Sequence, residues 1–277
     1  MAANLLQAGH PLVVHNRTPG AAEPLVAAGA RWAAGPAQAA ASADCLCLCL
    51  SDDAAVRDVL LGTGRSTATA AIRGLKPGSL VIDFSTISPA SSQAMATTLG
   101  HSDVAYIDAP VTGGTEGARA GTLSVLVGAE AADLERALPV LQVVGERISH
   151  LGPVGAGQQA KAVNQVLVAG SYAAAAEAIA LAQRLGLPME ALLAALRPGA
   201  AGSWALTHRA DGMVTGHYPL GFKLALHRKD LAIAQQAAAA VQLDLPITNQ
   251  VASMEDGLIH RGHGGCDVSV LAEWFRA

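Results

Sequence analysis

The pattern of apolar and polar positions in the first half of the chain predicts an α/β arrangement. Short apolar runs alternate there with helical stretches, which is typical of a parallel sheet wrapped by helices. The predicted strands are residues 12–15, 45–50, 80–84, 104–107, 123–127 and 148–150. The predicted helices between them are residues 21–28, 53–60, 89–99 and 131–143. The unbroken apolar run of residues 45–50 favours a strand that is buried on both faces.

The second half of the chain is predicted to be helical throughout. The helical stretches are residues 158–185, 189–196, 205–214, 227–241 and 247–261. We therefore expect an α/β domain over residues 1–150, followed by an all-helical domain over residues 151–277. The apolar stretch at residues 162–182 has the length of a membrane span, but it contains Asn164, Gln165 and Glu177. Because such side chains are costly in lipid, we interpret it as a buried helix.

Composition and charge narrow the class of protein. Hydrophobic residues make up 51% of the chain and charged residues 14%, which is typical of a globular protein with a large core. The net charge of −4 gives no reason to expect a nucleic acid or membrane partner. The start of the chain lacks the features of a secretory signal, so we expect a cytoplasmic location with reduced cysteines.

Two groups of residues have the composition, but not the arrangement, of a metal site. Cys45, Cys47 and Cys49 alternate along one predicted strand and are interpreted as small buried hydrophobic residues. His260, His263 and Cys266 stand near the end of the chain with glycines on both sides and no fourth ligand, so a surface loop is expected there. No metal is predicted.

The opening of the chain carries the first resemblance to a known family. A dinucleotide-binding fold normally begins with a strand and a G-x-G-x-x-G loop, and that spacing occurs nowhere in this sequence. Residues 1–18 instead read as a helix, Gly9-His10, a strand and Asn16-Arg17-Thr18. This order resembles the segment after the glycine loop in the β-hydroxyacid dehydrogenase family.

The resemblance implies a Rossmann-type NAD(P)-binding domain whose first strand and glycine loop are missing from this chain. A misplaced start codon and a truncated protein are both open explanations. In either case the strands next to the missing one would have unpaired edges.

The same resemblance implies that Asn16, Arg17 and Thr18 bind the adenosine ribose of the cofactor. A guanidinium and a hydroxyl suit the 2′-phosphate of NADP, although NAD remains possible and an ordinary polar turn is the alternative. Leu50, Ser51 and Thr86 end predicted strands on the side where such sheets bind ligands, so they could contact the cofactor. Helix capping accounts for the polar side chains at these strand ends equally well.

Residues 108–114, D-A-P-V-T-G-G, follow a predicted strand and end in a glycine pair. Paired glycines let a carboxylate approach backbone N–H groups closely. The run resembles the substrate-binding signature of the family, with Thr112 in place of the usual serine. The resemblance implies that Thr112, Gly113 and Gly114 bind the substrate.

The run G-P-V-G-A-G-Q-Q-A-K-A-V-N-Q at residues 152–165 is the most specific signal. Its Lys161, Asn164 and Gln165 share one face of a predicted helix. A lysine on an apolar helix usually extends to solvent, but this pattern resembles the catalytic signature of the family. The resemblance implies that Lys161 donates a proton to the substrate carbonyl as hydride arrives, while Asn164 orients the substrate. The Asn-Gln pair resembles the tartronate semialdehyde reductase branch.

A third block, residues 221–231, has the order Gly-Phe and then Lys-Asp-Leu. As a charge cluster it reads as a solvated helix start, yet this order is similar to a cofactor and substrate block of the family. The resemblance implies that Phe222 forms an apolar wall, that Lys229 lies near the nicotinamide or the substrate carboxylate, and that Asp230 positions Lys229.

These observations predict an NAD(P)-dependent oxidoreductase that interconverts a small β-hydroxy acid and its carbonyl form. The predicted type is 2-hydroxy-3-oxopropionate (tartronate semialdehyde) reductase or 3-hydroxyisobutyrate dehydrogenase, acting on a small carboxylate as a homodimer or homotetramer. The helical domain is expected to complete the site. Two alternatives stay open: an imine reductase, although those enzymes usually replace the lysine, and a catalytically silent scaffold that binds no cofactor.

Overall fold

The computed structural model describes residues 1–63 and 69–276, which fall into two compact units, Met1–Lys161 and Ala162–Ala277. Within the described residues, every named β-strand belongs to the first unit, and the second unit is helical. The predicted succession of an α/β region and a helical region is therefore confirmed. The boundary after residue 150 stays a prediction, since one long helix carries the chain from the first unit into the second.

The first unit contains a six-stranded sheet. The strands of this unit are β1 Val13–Val14, β2 Arg31–Trp32, β3 Cys45–Leu48, β4 Leu80–Asp83, β5 Ala105–Asp108, β6 Val111–Thr112, β7 Leu123–Gly128 and β8 Gly145–Gly152. Strands β3, β4 and β5 are parallel, as predicted, and β8 runs parallel to β7. Strands β5 and β6 are antiparallel to β7, because the connection from β6 through α6 (Gly114–Ala120) to β7 reverses the direction of the chain.

A separate two-stranded sheet is formed by β1 and β2, which pair in parallel. Among the described strands none joins β1 to β3, so β3 pairs with β4 alone. Cys47 is accordingly exposed and Cys45 only half-buried. Cys49, on the same face, is exposed as well. The predictions that residues 45–50 are buried on both faces and that these cysteines are buried are therefore wrong, because the described elements leave the face that carries the cysteines partly uncovered.

Helices cover both faces of the six-stranded sheet. The helices of this unit are α1 Ala2–Gln7, α2 Glu23–Ala27, α3 Pro36–Ala41, α4 Asp53–Leu61, α5 Pro89–Gly100, α6 Gly114–Ala120 and α7 Ala131–Val144. Strand β4 alternates between two cores, with Leu80 and Ile82 in one and Val81 in the other. This alternation places β4 at the centre of the unit, with its carboxyl end beside that of β5.

The second unit is a helical bundle. Its helices are the continuation of α8 (Ala156–Arg184), α9 Met189–Leu196, α10 Trp204–His208, α11 Ala210–Thr215, α12 Leu224–Ala240, α13 Pro246–His260 and α14 Glu273–Arg276. The single helix predicted over residues 205–214 is two helices. The chain breaks at Arg209, whose guanidinium lies 4.7 Å from the Trp204 ring centre and whose Nε is 3.6 Å from Asp267 Oδ1.

Helix α8 matches the predicted helix in length, but its faces differ. By length and composition alone it could cross a membrane. One face packs into the core of the second unit through Ala169, Tyr172 and Ile179, whereas Leu167 and Leu181 are exposed. The interpretation as a buried helix therefore holds for one face only.

Candidate active site

Asp108, the last residue of β5, anchors the glycine turn before α8. Its buried carboxylate accepts the backbone N–H of Gly155 at 2.6 Å and that of Gln158 at 2.8 Å. Burial raises the pKa of Asp108 to about 6, although these N–H groups favour the charged form. A Cβ at Gly157 would lie 2.4 Å from Leu126 O and 2.8 Å from Asp108 Oδ2, so only glycine fits there. This contact fixes the first turn of α8 against the sheet.

Gln158 attaches the same turn to the loop after β4. Its Nε2 donates to Ser85 O at 2.8 Å, and its Oε1 accepts the backbone N–H of Ile87 at 3.2 Å. The start of α8 is thus held to two adjacent strands. The sequence analysis gave no role to Gln158 or to the carboxylate of Asp108. An acidic residue at the end of an apolar strand is the signal that could have indicated the second.

Lys161 lies one turn further along α8, and its side chain is almost fully buried, with the residue 8% exposed. Its Nζ donates to Val111 O at 2.9 Å. Val111 immediately precedes Thr112, Gly113 and Gly114. The structure therefore brings the amine of Lys161 next to the predicted substrate turn.

The turn itself depends on its glycines. Gly113 has φ of 132° and Gly114 has φ of 68°, values that L side chains rarely adopt. A Cβ at Gly113 would also lie 3.2 Å from Leu123 Cδ2. Thr112 is half-buried and pairs with Ser124 of β7, which fixes the residue before the turn. Helix α6 begins at Gly114, in a stretch for which no helix was predicted from the sequence.

In the second unit the predicted residues form one chain of polar contacts. Asn164 Nδ2 donates to Gln165 Oε1 at 2.7 Å, and Gln165 Nε2 donates to Asp230 Oδ2 at 2.7 Å. Lys229 Nζ lies 2.8 Å from Asp230 Oδ1. Gln165 is 1% exposed and Asp230 is 3% exposed. The structure therefore brings together Asn164, Gln165, Lys229 and Asp230.

Phe222 packs against a buried pair of side chains, His227 and Glu255. Its ring packs edge-on at 5.7 Å from the ring of His227. His227 Nδ1 is 2.6 Å from Glu255 Oε1, and both side chains are fully buried. The sequence analysis missed this pair, because the charges around residue 227 suggested a solvated helix start.

Two of the predicted cofactor residues of the first unit, Arg17 and Ser51, meet at one cavity. Arg17 and Ser51 line a cavity of about 480 Å³, whose other lining residues are Asp52, Ala54, Ala55, Arg57, Asp58 and Thr63. Asn16 Nδ2 donates to Thr18 O at 2.8 Å, which shapes the turn that carries Arg17. Asn16 and Thr18 do not line this cavity. Arg57, which the sequence analysis did not single out, contributes a second guanidinium.

The carboxyl ends of β3 and β4 are joined beside this cavity. The backbone N–H of Leu50 donates to Ser85 Oγ at 2.8 Å, and half-buried Thr86 follows Ser85. The capping interpretation applies to Asp52, whose carboxylate accepts the N–H of Ala55 at the start of α4. A guanidinium and a hydroxyl around a cavity at the carboxyl ends of parallel strands fit the adenosine end of a nicotinamide nucleotide.

The residues considered as metal ligands do not form a metal site in the described part of the chain. Cys266 Sγ lies 3.9 Å from His263 Nδ1, while His260 Nδ1 contacts Asp256 O. Across residues 1–63 and 69–276, no group of three His, Cys, Asp or Glu side chains is arranged to hold a metal ion.

Known proteins resemble the chain over nearly its whole length. Residues 1–152 match the family model described as the NAD binding domain of 6-phosphogluconate dehydrogenase. Residues 155–275 match the model described as NAD-binding of NADP-dependent 3-hydroxyisobutyrate dehydrogenase. The chain is 37% identical to 3-hydroxyisobutyrate dehydrogenase of Pseudomonas aeruginosa over 254 residues, 89% of this chain and 84% of that protein. It is 35% identical to 2-hydroxy-3-oxopropionate reductase of Escherichia coli over 273 residues, 99% of this chain and 91% of that protein.

Solved structures extend the resemblance to the fold. The crystal structure of 3-hydroxyisobutyrate dehydrogenase from Salmonella typhimurium superposes with a TM-score of 0.90 at 31% identity, covering 98% of this chain and 94% of that one. An imine reductase from Myxococcus stipitatus reaches 0.65 at 21% identity, covering 99% of this chain and 94% of that one, which shows a shared fold alone. The chain therefore belongs to the β-hydroxyacid dehydrogenase family, oxidoreductases that act on the CH–OH groups of hydroxy acids with NAD(P).

Proposed function

We propose that this chain interconverts a small β-hydroxy acid and its carbonyl form, with Lys161 as the proton donor. The main support for this proposal is that the amine of Lys161 is buried, 2.9 Å from the carbonyl oxygen of Val111 and next to the glycine turn. When bound, the nicotinamide cofactor supplies or accepts the hydride. Lys161 gives its proton to the carbonyl oxygen in the direction of reduction and takes it back from the hydroxyl in the direction of oxidation.

The turn of Thr112, Gly113 and Gly114 is proposed to hold the carboxylate of the substrate. Positive φ at both glycines exposes backbone that a Cβ would crowd, so an anion can approach closely. Thr112 adds a hydroxyl beside it. With Lys161 beside the same turn, the proton donor lies within a short distance of the bound acid.

Reduction of 2-hydroxy-3-oxopropionate is the preferred substrate assignment, and oxidation of 3-hydroxyisobutyrate is the second. Relatives named for each reaction share more than a third of their residues with this chain over the matched region. The Asn164-Gln165 pair favours the first. A few contacts in the pocket separate the two substrates, so a panel containing both is the direct comparison.

The first prediction concerns Lys161→Ala. Loss of the acid–base group is expected to lower kcat by about 100- to 10,000-fold, while the Kd for NADPH stays within about twofold. Stopped-flow or steady-state kinetics with both substrates measures the first quantity, and fluorescence titration measures the second. Lys76→Ala, at an exposed lysine before β4, is the matched control and is expected to behave as wild type.

Unchanged turnover in Lys161→Ala would overturn this assignment. The retained lysine also separates the proposal from imine reduction, which predicts turnover of cyclic imines and none of the hydroxy acids. A silent scaffold predicts that neither NADPH nor NADH raises the melting temperature of the wild-type chain. Each rival is thus distinguished by a measurement on the unmodified protein.

NADP is proposed as the preferred cofactor, because the guanidinium of Arg17 borders the cavity that Ser51 also lines. We expect Arg17→Asp to weaken binding of 2′,5′-ADP by about ten- to a hundredfold, the value of one or two charge-assisted hydrogen bonds. Binding of 5′-AMP is expected to change little. Calorimetric titration of both nucleotides measures the ratio, and Arg147→Asp on β8 is the control. Equal weakening of both nucleotides would contradict the assignment.

The chain is further proposed to form a homodimer or homotetramer through α8. Val163, Leu167, Leu181 and Leu185 are 60–71% exposed. Val163, Leu167 and Leu181 are spaced so that they lie on a single face of α8, and Leu185 directly follows the end of the helix. A surface face of this length that is apolar except for the exposed Glu177 is typical of an interaction site.

A further inference from the structure

We infer that Asp230, acting through Gln165, fixes the side-chain amide of Asn164 so that its oxygen is presented to the substrate. The inference rests on the proposed function, and it assigns Asp230 and Gln165 as positioning residues. The amide groups of asparagine and glutamine can each be rotated by 180° without changing their shape. A contact that accepts only one of the two orientations is therefore needed to define which atom faces the substrate.

The carboxylate of Asp230 supplies that contact. An ionised carboxylate accepts hydrogen bonds and donates none. Its Oδ1 lies 2.8 Å from Lys229 Nζ, and its Oδ2 lies 2.7 Å from the amide of Gln165. Only the NH₂ group of Gln165 can face this oxygen.

The orientation of Gln165 then determines that of Asn164. With its NH₂ group on Asp230, Gln165 turns its Oε1 toward Asn164 at 2.7 Å. Only the NH₂ group of Asn164 can donate to that oxygen. Since Gln165 and Asp230 are almost fully buried, water is not available to take the place of either partner. The chain of donors and acceptors ends with Asn164 Oδ1 as the atom presented away from Gln165.

Because Asn164 presents its Oδ1, the substrate group that it can bind is restricted. Asn164 lies one helical turn after Lys161 on the same face of α8, so its amide belongs beside the reacting carbon. An amide oxygen binds a hydroxyl or an ammonium group and repels a carboxylate. A substrate with a hydroxyl on the carbon next to the reacting one, as in 2-hydroxy-3-oxopropionate, is therefore favoured over one with a methyl there, as in 3-hydroxyisobutyrate.

Asp230→Asn is designed to reverse the direction of both hydrogen bonds between residue 230, Gln165 and Asn164 while keeping all of their contacts. Its new amide can turn the oxygen to Lys229 and the NH₂ group to Gln165. Gln165 then accepts from residue 230 and donates to Asn164, which presents its NH₂ group to the substrate. Asn164→Asp in this background supplies an acceptor again, because one carboxylate oxygen accepts from Gln165 and the other faces the substrate. In the wild-type background, Asn164→Asp sets a carboxylate against Gln165 Oε1.

The experiment is a double-substitution cycle with two readouts. We expect each single variant to lower kcat/KM for 2-hydroxy-3-oxopropionate by about ten- to a hundredfold, and the double variant to recover at least tenfold relative to Asp230→Asn. The preference over 3-hydroxyisobutyrate is expected to fall in Asp230→Asn and to return in the double variant. Urea unfolding is expected to show Asn164→Asp as the least stable of the four proteins. Asp256→Asn, which alters a half-buried pair with Arg228, is the control.

Recovery in the double variant would not follow if Asp230 acted only by holding Lys229, since Asn164→Asp does not restore that ion pair. Additive losses of the two substitutions in both kcat/KM and urea unfolding would overturn the inferred orientation of the two amides. If the two substitutions are coupled in urea unfolding but the substrate preference does not change, the inferred contact between Asn164 Oδ1 and the substrate would be wrong. A wild-type chain that turns over neither acid would overturn the proposed function instead, and the unfolding cycle would still decide the orientation of the amides.

Discussion

Asp83 is a buried carboxyl group whose pKa is raised by its removal from water. It ends β4, where it is fully buried, and it accepts the backbone N–H of Ser85 at 2.9 Å and the hydroxyl of Tyr106 at 2.8 Å. Removal from water favours the protonated form and outweighs these two hydrogen bonds, so the pKa of Asp83 is raised to about 6. This shift makes the stability of the fold depend on pH at Asp83, in addition to the dependence that the raised pKa of Asp108 contributes.

The direction of the dependence follows from the two pKa values. Between the ordinary value of 3.8 and about 6, the folded chain keeps a proton on Asp83 that the unfolded chain has released. The stabilisation from that proton is complete below 3.8 and is lost as the pH rises through 6, a change of about 3 kcal/mol in full. Asp83→Asn keeps an acceptor for Ser85 and cannot ionise. Its free energy of unfolding is therefore expected to rise relative to wild type between pH 5 and 7.5.

Urea unfolding at several pH values measures this difference. Asp103→Asn is a matched control, because Asp103 is exposed and its φ of 54° is one that asparagine adopts readily. The difference between Asp103→Asn and wild type is expected to vary much less with pH. A flat difference for Asp83→Asn as well would show that Asp83 is ionised in the folded chain without penalty.

At the scale of helices and strands, the sequence predicted the long or strongly apolar elements and missed the short ones. The predicted strand at residues 80–84 corresponds to β4, Leu80–Asp83, and the predicted helix at residues 189–196 has the same bounds as α9. Strands β2 and β6 have two residues each, too few to show a period of two. Helix α6 was missed because it starts with a glycine and contains a second one, Gly117, which packs against Leu123. Tertiary packing overrides helix propensity there.

The candidate site likewise contains some features that could be predicted from the sequence and others that could not. The common face of Lys161, Asn164 and Gln165 follows from helical spacing, so it could be predicted from the sequence alone. The contact of Gln165 with Asp230 joins residues 65 positions apart, and that of Asp108 with Gly155 joins residues 47 apart. No local pattern encodes such pairs, because they form only when separate elements pack. The family resemblance indicated which residues matter, whereas the folded chain defines the direction of each hydrogen bond.

At the scale of the whole molecule, the exposed face of α8 is the feature that a single copy leaves unexplained. Val163, Leu167, Leu181 and Leu185 lie along it, and the exposed small residues Ala174 and Ala178 lie between them. Small side chains allow a second helix to approach closely, and leucines at both ends can then bury their side chains against it. A single exposed leucine is common on protein surfaces, but a row of this length is not. A second copy of the chain is the proposed partner of this face.

Leu167→Glu combined with Leu181→Glu is expected to release monomers from the proposed assembly. Both side chains are exposed in the single chain, so the substitutions leave its core intact, whereas in the assembly each would bury an unpaired charge at a cost of several kcal/mol. Sedimentation velocity over a range of concentrations measures the mass, and far-ultraviolet circular dichroism checks the helix content. Leu220→Glu, at an equally apolar exposed position outside α8, is the control and is expected to keep the wild-type mass. A wild-type chain that sediments as a monomer, or a double variant that remains an oligomer, would exclude α8 as the interface.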